Sequence, residues 1–132
     1  MSYNIALKNG STAWKWSRAL TTSAVAIDKY TVYAMDNRTN KLNSINKYDG
    51  KNRWTLQLDK AYNKAQFITG KYLVLSSPNK AVMVNLYTHK AVWGKNYNLA
   101  NVVFYGAIKA KNGSYYLMVK TNTETKFYKL KV

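Results

Sequence analysis

The chain has 132 residues, 47% of them hydrophobic and 14% aromatic, and sets 21 Lys and Arg against 5 Asp and Glu for a formal net charge of +16. That length supports one core rather than two, so a single domain over residues 1–132 is expected. The absence of cysteine excludes a disulfide framework and a thiolate metal site, and so large a basic excess repels itself unless a polyanion meets it.

The N-terminal MSYNIALKNG has no continuous apolar run, so neither a signal peptide nor a membrane anchor is expected, and no stretch reaches the roughly 18 apolar residues of a transmembrane helix. The expected setting is the cytoplasm, or the inside of a virion or another large assembly, without membrane insertion.

A first strand opens near Met1 and turns at Asn9-Gly10 into a strand holding Trp14 and Trp16. DKYTVYAMD brings a turn and an aromatic, β-branched strand; NRTN turns the chain, and Lys41 leads the strand that ends at Asp49-Gly50 before Trp54. AQFIT, then GKYLVLSS from Tyr72, then SPN and a strand from Lys80 repeat that order, closing at Thr88-His89 and Trp93. VVFYGAI, SYYLMVK with Tyr115, the turn TNTET and a strand from Lys126 complete the chain. Apolar runs of four to seven residues, frequent Val, Tyr and Thr, and a single proline favour strands over helices. The fold class is all-β, with about a dozen strands.

Aligned on tryptophan, Ile5–Trp14, Ile45–Trp54 and Val84–Trp93 give periods of 40 and 39 residues. Asn-Gly and Asp-Gly tolerate the positive φ of a tight hairpin, whereas Thr88-His89 makes a weaker turn. Three roughly 40-residue, four-stranded repeats are therefore expected, and a period near 40 with four strands is that of a propeller blade. TVYAMDNRTNKLNSINKYDGKNRWTLQL and YLVLSSPNKAVMVNLYTHKAVW resemble the tryptophan-containing repeat of quinoprotein-like β-propellers. The resemblance implies blades with a docking tryptophan and implies no cofactor or particular activity. Three repeats are few for a propeller closed by one chain. Either terminal half-units pair between subunits, giving a homo-oligomer, or three units close as a β-trefoil.

Catalytic chemistry finds no support. His89, the only histidine, falls in a predicted turn, and Asp28, Asp36, Asp49, Asp59 and Glu124 lie in or beside turns, where aspartate bonds to local backbone. No phosphate loop, metal-ligand spacing or nucleophile elbow occurs, so no enzyme, metal or cofactor is expected. Trp14, Trp54 and Trp93 recur with the period and are expected to pack between repeats. Trp16 lies outside that pattern and is a candidate contact. In a blade, the turns joining strands one to two and three to four lie on the same face. Those turns carry Lys29, Lys71 and Lys111 in one set and Lys8, Lys47, Lys51, Arg53 and Lys90 in the other, bordered by Tyr30, Tyr48, Tyr72 and Tyr87. Aromatic rings among cations suit stacking on bases or sugars. The reading is a non-enzymatic, self-associating structural or interaction protein whose basic face docks on nucleic acid or an acidic surface, as a virion component would. The alternative is a trefoil lectin that stacks tyrosines and tryptophans on sugar rings.

Overall fold

The computed structural model describes the backbone of residues 3–6, 12–16 and 22–132 and the side chains of Trp14, Lys15 and 22–132. All regular structure among them is strand: β1 (Tyr3–Ala6), β2 (Thr12–Trp16), β3 (Thr22–Ile27), β4 (Thr31–Asp36), β5 (Lys41–Asn46), β6 (Asn52–Gln57), β7 (Lys64–Ile68), β8 (Tyr72–Ser76), β9 (Lys80–Asn85), β10 (Lys90–Asn96), β11 (Val102–Lys109), β12 (Tyr115–Thr121) and β13 (Thr125–Leu130). They fall into two compact units, Met1–Tyr62 and Asn63–Val132.

In the first unit β1 and β2 form an antiparallel pair, and β3-β4-β5-β6 form a four-stranded sheet in sequence order, every neighbour antiparallel. TVYAMD of β4 is buried at all six positions and KLNSIN of β5 at its four inner ones. A strand covered on both faces has no polar side to alternate with, which is why β4 reads as apolar from Val32 to Met35 before the buried Asp36, and why β5 sets Asn43 and Ser44 between Leu42 and Ile45 without strict alternation. β6 is the edge strand and alternates, with Trp54 and Leu56 turned inward. On one face Val32, Ala34 and Ile45 form a cluster against which Trp14 and Val25 pack.

The second unit repeats the sheet as β7-β8-β9-β10 and adds a three-stranded sheet, β11-β12-β13. Ile68, Val74, Ala81 and Met83 of the former and Leu117, Val119 and Leu130 of the latter share one cluster with Tyr97, and Trp93 packs on its margin. Side chains of β7 also hold the backbone of β11. Gln66 accepts from Ala107 N–H at 2.8 Å and donates to Ala107 C=O at 3.2 Å, and Lys64 Nζ donates to Tyr105 C=O at 2.6 Å. Both ties advance two residues together, so β7 and β11 run in the same direction and the turns that follow them lie at the same end.

Each tryptophan strand bulges next to its ring. The pairing slips between Ile5 and Ala6 opposite Trp14, between Ser44 and Ile45 opposite Trp54, and between Ala91 and Trp93. One extra residue there raises the local twist of the edge strand.

Candidate polyanion-binding surface

In the sheet β3–β6, the β3–β4 and β5–β6 turns meet at one end, as a blade requires. Lys47 N–H donates to Tyr30 C=O at 2.9 Å, and the Tyr48 hydroxyl donates to Lys29 C=O at 3.2 Å. The second turn is built by Asn46, whose side-chain oxygen accepts from Tyr48 N–H at 2.8 Å while its C=O accepts from Gly50 N–H at 2.9 Å. Asp49 then accepts from Lys51 N–H, and Asp28 caps the first turn through Tyr30 and Thr31 N–H. The two turns thereby hold Lys29, Lys47, Lys51 and Arg53 together, Arg53 reaching the Thr31 hydroxyl at 3.3 Å. Tyr30 and Tyr48 stand among them 53% and 64% exposed, and Lys29 Nζ lies 5.3 Å from the Tyr30 ring centre.

The sheet β7–β10 makes the same end with different residues. Leu86 N–H donates to Lys71 C=O at 2.8 Å, matching Lys47 to Tyr30, and Asn85 accepts from Tyr87 N–H at 2.8 Å and, through its C=O, from His89 N–H at 2.9 Å. Thr88-His89 is thus the same turn as Asp49-Gly50. Its strength comes from Asn85, and His89 adopts φ 61° where Gly50 has 74°. The sequence signal was the Asn-x-Tyr shared by Asn46–Tyr48 and Asn85–Tyr87, not the glycine. Lys71 and Lys90 flank this end, with Lys71 Nζ 5.4 Å from the Tyr72 ring and Tyr87 72% exposed. The parallel course of β7 and β11 brings the β11–β12 turn to the same end, with Lys111 and a further cation, Lys109, 5.6 Å from the Tyr115 ring. Lys109 escaped the sequence analysis because it closes a strand instead of sitting in the turn.

Tyr30 lies in the turn and not in the strand that follows: Thr31 pairs with Asn46 as Tyr72 pairs with Asn85, so Tyr30 corresponds to Lys71. Lys8 and the Asn9-Gly10 turn lie outside the described residues, as does the side chain of Trp16. Trp14 docks on the neighbouring turn. Its Nε1–H donates to Lys47 C=O at 2.6 Å, and a Cβ on Gly50 would lie 2.7 Å from its ring. Trp54 stacks obliquely on Tyr33 at 5.9 Å, and both Trp54 and Trp93 are half-buried. The aspartates bond as turn residues, and Asp59 accepts from the buried Tyr62 hydroxyl at 2.8 Å. Among the described residues no cluster of His, Asp and Glu could hold a metal ion.

No family model and no curated protein matches the chain. Among solved structures it is similar to BamB from Moraxella catarrhalis (14% identity, TM-score 0.65, 86% of this chain and 36% of that one). It is also similar to hydrazine synthase from Kuenenia stuttgartiensis (9%, 0.72, 96% and 39%) and to virginiamycin B lyase from Staphylococcus aureus (13%, 0.60, 100% and 46%). These are β-propeller proteins, and the four-stranded antiparallel sheets of this chain are blades of that kind; the β-trefoil is not favoured. The chain spans less than half the length of each of these three. At such identities the likeness is one of fold.

Proposed function

We propose that this chain is a non-enzymatic interaction module that docks on a polyanion through the turn ends of its blades. The observation that supports this most is the joining of the β3–β4 and β5–β6 turns, which fixes four cations and two exposed tyrosines on one surface with only the two turn-capping aspartates beside them. The balance is steeper in Asn63–Val132, where eleven lysines face one acid, Glu124, and Glu124 lies in the β12–β13 turn, 3.7 Å from Lys126, away from Lys71, Lys90 and Lys111. A glycan-binding reading drew its support from trefoil closure and loses it with blades. Association with a second copy belongs to the same proposal: among the described residues β13 pairs with β12 alone, and it exposes Phe127.

Salt-dependent binding tests the docking. Replacing Lys47, Lys51 and Arg53 with Glu is expected to weaken binding to nucleic acid and to flatten its log–log salt slope by roughly 2.7 for duplex DNA or about 2.1 for a single strand. The same change at Lys41, Lys80 and Lys126, which begin or adjoin the turns at the opposite ends of their sheets, is the control. Equal weakening by both triples would mean that only total charge is sensed and would refute the docking surface.

A further inference from the structure

We infer that the polyanion is single-stranded nucleic acid, read by tyrosine stacking at the repeated Asn-x-Tyr turn. This rests on the docking proposal and narrows it. Among all the aromatic residues of the described structure, Tyr87 and Tyr48 are the most exposed, at 72% and 64%, and they occupy the same position in two copies of one turn. A large ring left in water at the same place in two repeats is not used by the core. The turn also holds it in place. The asparagine side chain fixes the tyrosine N–H in both copies, and in the first the hydroxyl is tethered to Lys29 C=O. A ring so anchored presents a face at little further loss of freedom on binding.

The cations sit where a backbone would pass. Lys47 and Lys51 flank Tyr48, and Lys90 follows Tyr87 by three residues, with Lys71 on the adjoining turn. Phosphates can meet the ammonium groups while an unpaired base lies on the ring. Duplex DNA offers the same phosphates but keeps its base faces stacked inside the helix, and a sulfated glycan offers anions without a flat aromatic partner. A surface selected for charge alone would have no use for the two rings. Stacking tolerates any base, so little sequence preference is expected.

The test measures fluorescence anisotropy of labelled oligo(dT) and of a duplex of equal length from 50 to 200 mM KCl, with heparin as competitor. The proteins are wild type, Tyr48→Leu, Tyr87→Leu, the double variant, Tyr48→Phe, and Lys47→Glu/Lys51→Glu/Arg53→Glu. Wild type is expected to prefer oligo(dT). Each leucine variant is expected to lose roughly 5- to 150-fold in oligo(dT) affinity with an unchanged salt slope and unchanged duplex binding, and Tyr48→Phe to keep the affinity. Thermal melts of the exposed-site variants should match wild type. Equal affinity for single strand and duplex, with neutral leucine variants, overturns the stacking inference while leaving polyanion docking in place; so does preferential binding of heparin. Absence of salt-dependent binding to all three probes overturns both.

Discussion

Gly50→Ala tests whether the period of the tryptophans is set by docking on the next turn. Gly50 has φ +74°, and a Cβ there would come within 2.7 to 2.9 Å of three atoms of the Trp14 ring, closer than such atoms approach. The left-handed region costs a non-glycine residue about 1 to 2 kcal/mol, offset by about 0.5 to 1 kcal/mol from the smaller freedom of the unfolded chain, which leaves about 1 kcal/mol. Displacing Trp14 also breaks its bond to Lys47 C=O, about 1 kcal/mol, and re-exposes part of a half-buried indole, about another 1 kcal/mol. The expected loss is therefore about 3 kcal/mol. Gly113→Ala isolates the backbone part, since Gly113 has φ +87° and nothing within 4 Å of its Cβ position; it should lose about 1 kcal/mol. The assay is urea unfolding of wild type, Gly50→Ala, Trp14→Ala and the double variant. Without the ring, Gly50→Ala should resemble Gly113→Ala, so the coupling between the two sites is about 2 kcal/mol. Equal losses from Gly50→Ala in both backgrounds would refute the docking contact.

Asn85→Ala should destabilise by about 1 to 2 kcal/mol, as loss of a cap does, because Asn85 holds the N–H groups of both Tyr87 and Thr88; urea midpoints measure this. Gln66→Ala should lose about 1 to 3 kcal/mol by stripping the Ala107 backbone of both partners, and faster hydrogen exchange at Ala107 N–H should accompany it. Burial pushes the Tyr97 hydroxyl above its ordinary value near 10. The neutral form is thus favoured on folding, stability is unaffected below pH 10, and it falls as pH climbs beyond. Tyr97→Phe should lose about 1.4 kcal/mol less than wild type between pH 9 and pH 11, measured by denaturant unfolding at both pH values.

The fold was legible because its signals are local. β4 and β8 read as unbroken apolar runs, the edge strands announce themselves by a tryptophan every 40 or 39 residues, and Asp49-Gly50 marks a turn that needs positive φ. Where the reading slipped, the deciding contact was one a linear pattern does not weigh. Thr88-His89 lacks the glycine that marks a positive φ, whereas the turn is closed by the Asn85 side chain from one strand end. The bulges beside the tryptophans left no mark, since Arg53 and Val92 share no chemistry that would signal a slipped register. Gln66 gave no signal either. An amide that substitutes for a strand edge, donating to and accepting from one backbone residue 41 positions away, is indistinguishable in sequence from any solvated glutamine.

The candidate surface was legible in residue types and not in arrangement, and the structure separates what holds the turns from what charges them. Asn46, Asn85, Asp28 and Asp49 make the turn hydrogen bonds with their side chains. Lys29, Lys47 and Lys71 take part through backbone groups only, and the ammonium groups of Lys29 and Lys71 lie over tyrosine rings. A lysine that contributes its backbone could be nearly any residue without altering the turn, so folding does not select its charge. An exposed cation–π pair contributes about 0.5 to 1 kcal/mol, which is small beside the mutual repulsion of an excess of +16 in water of low ionic strength. Cations that the turns do not need, gathered where the turns bring them together and placed around rings that the core does not use, are the observations on which docking to a polyanion is proposed.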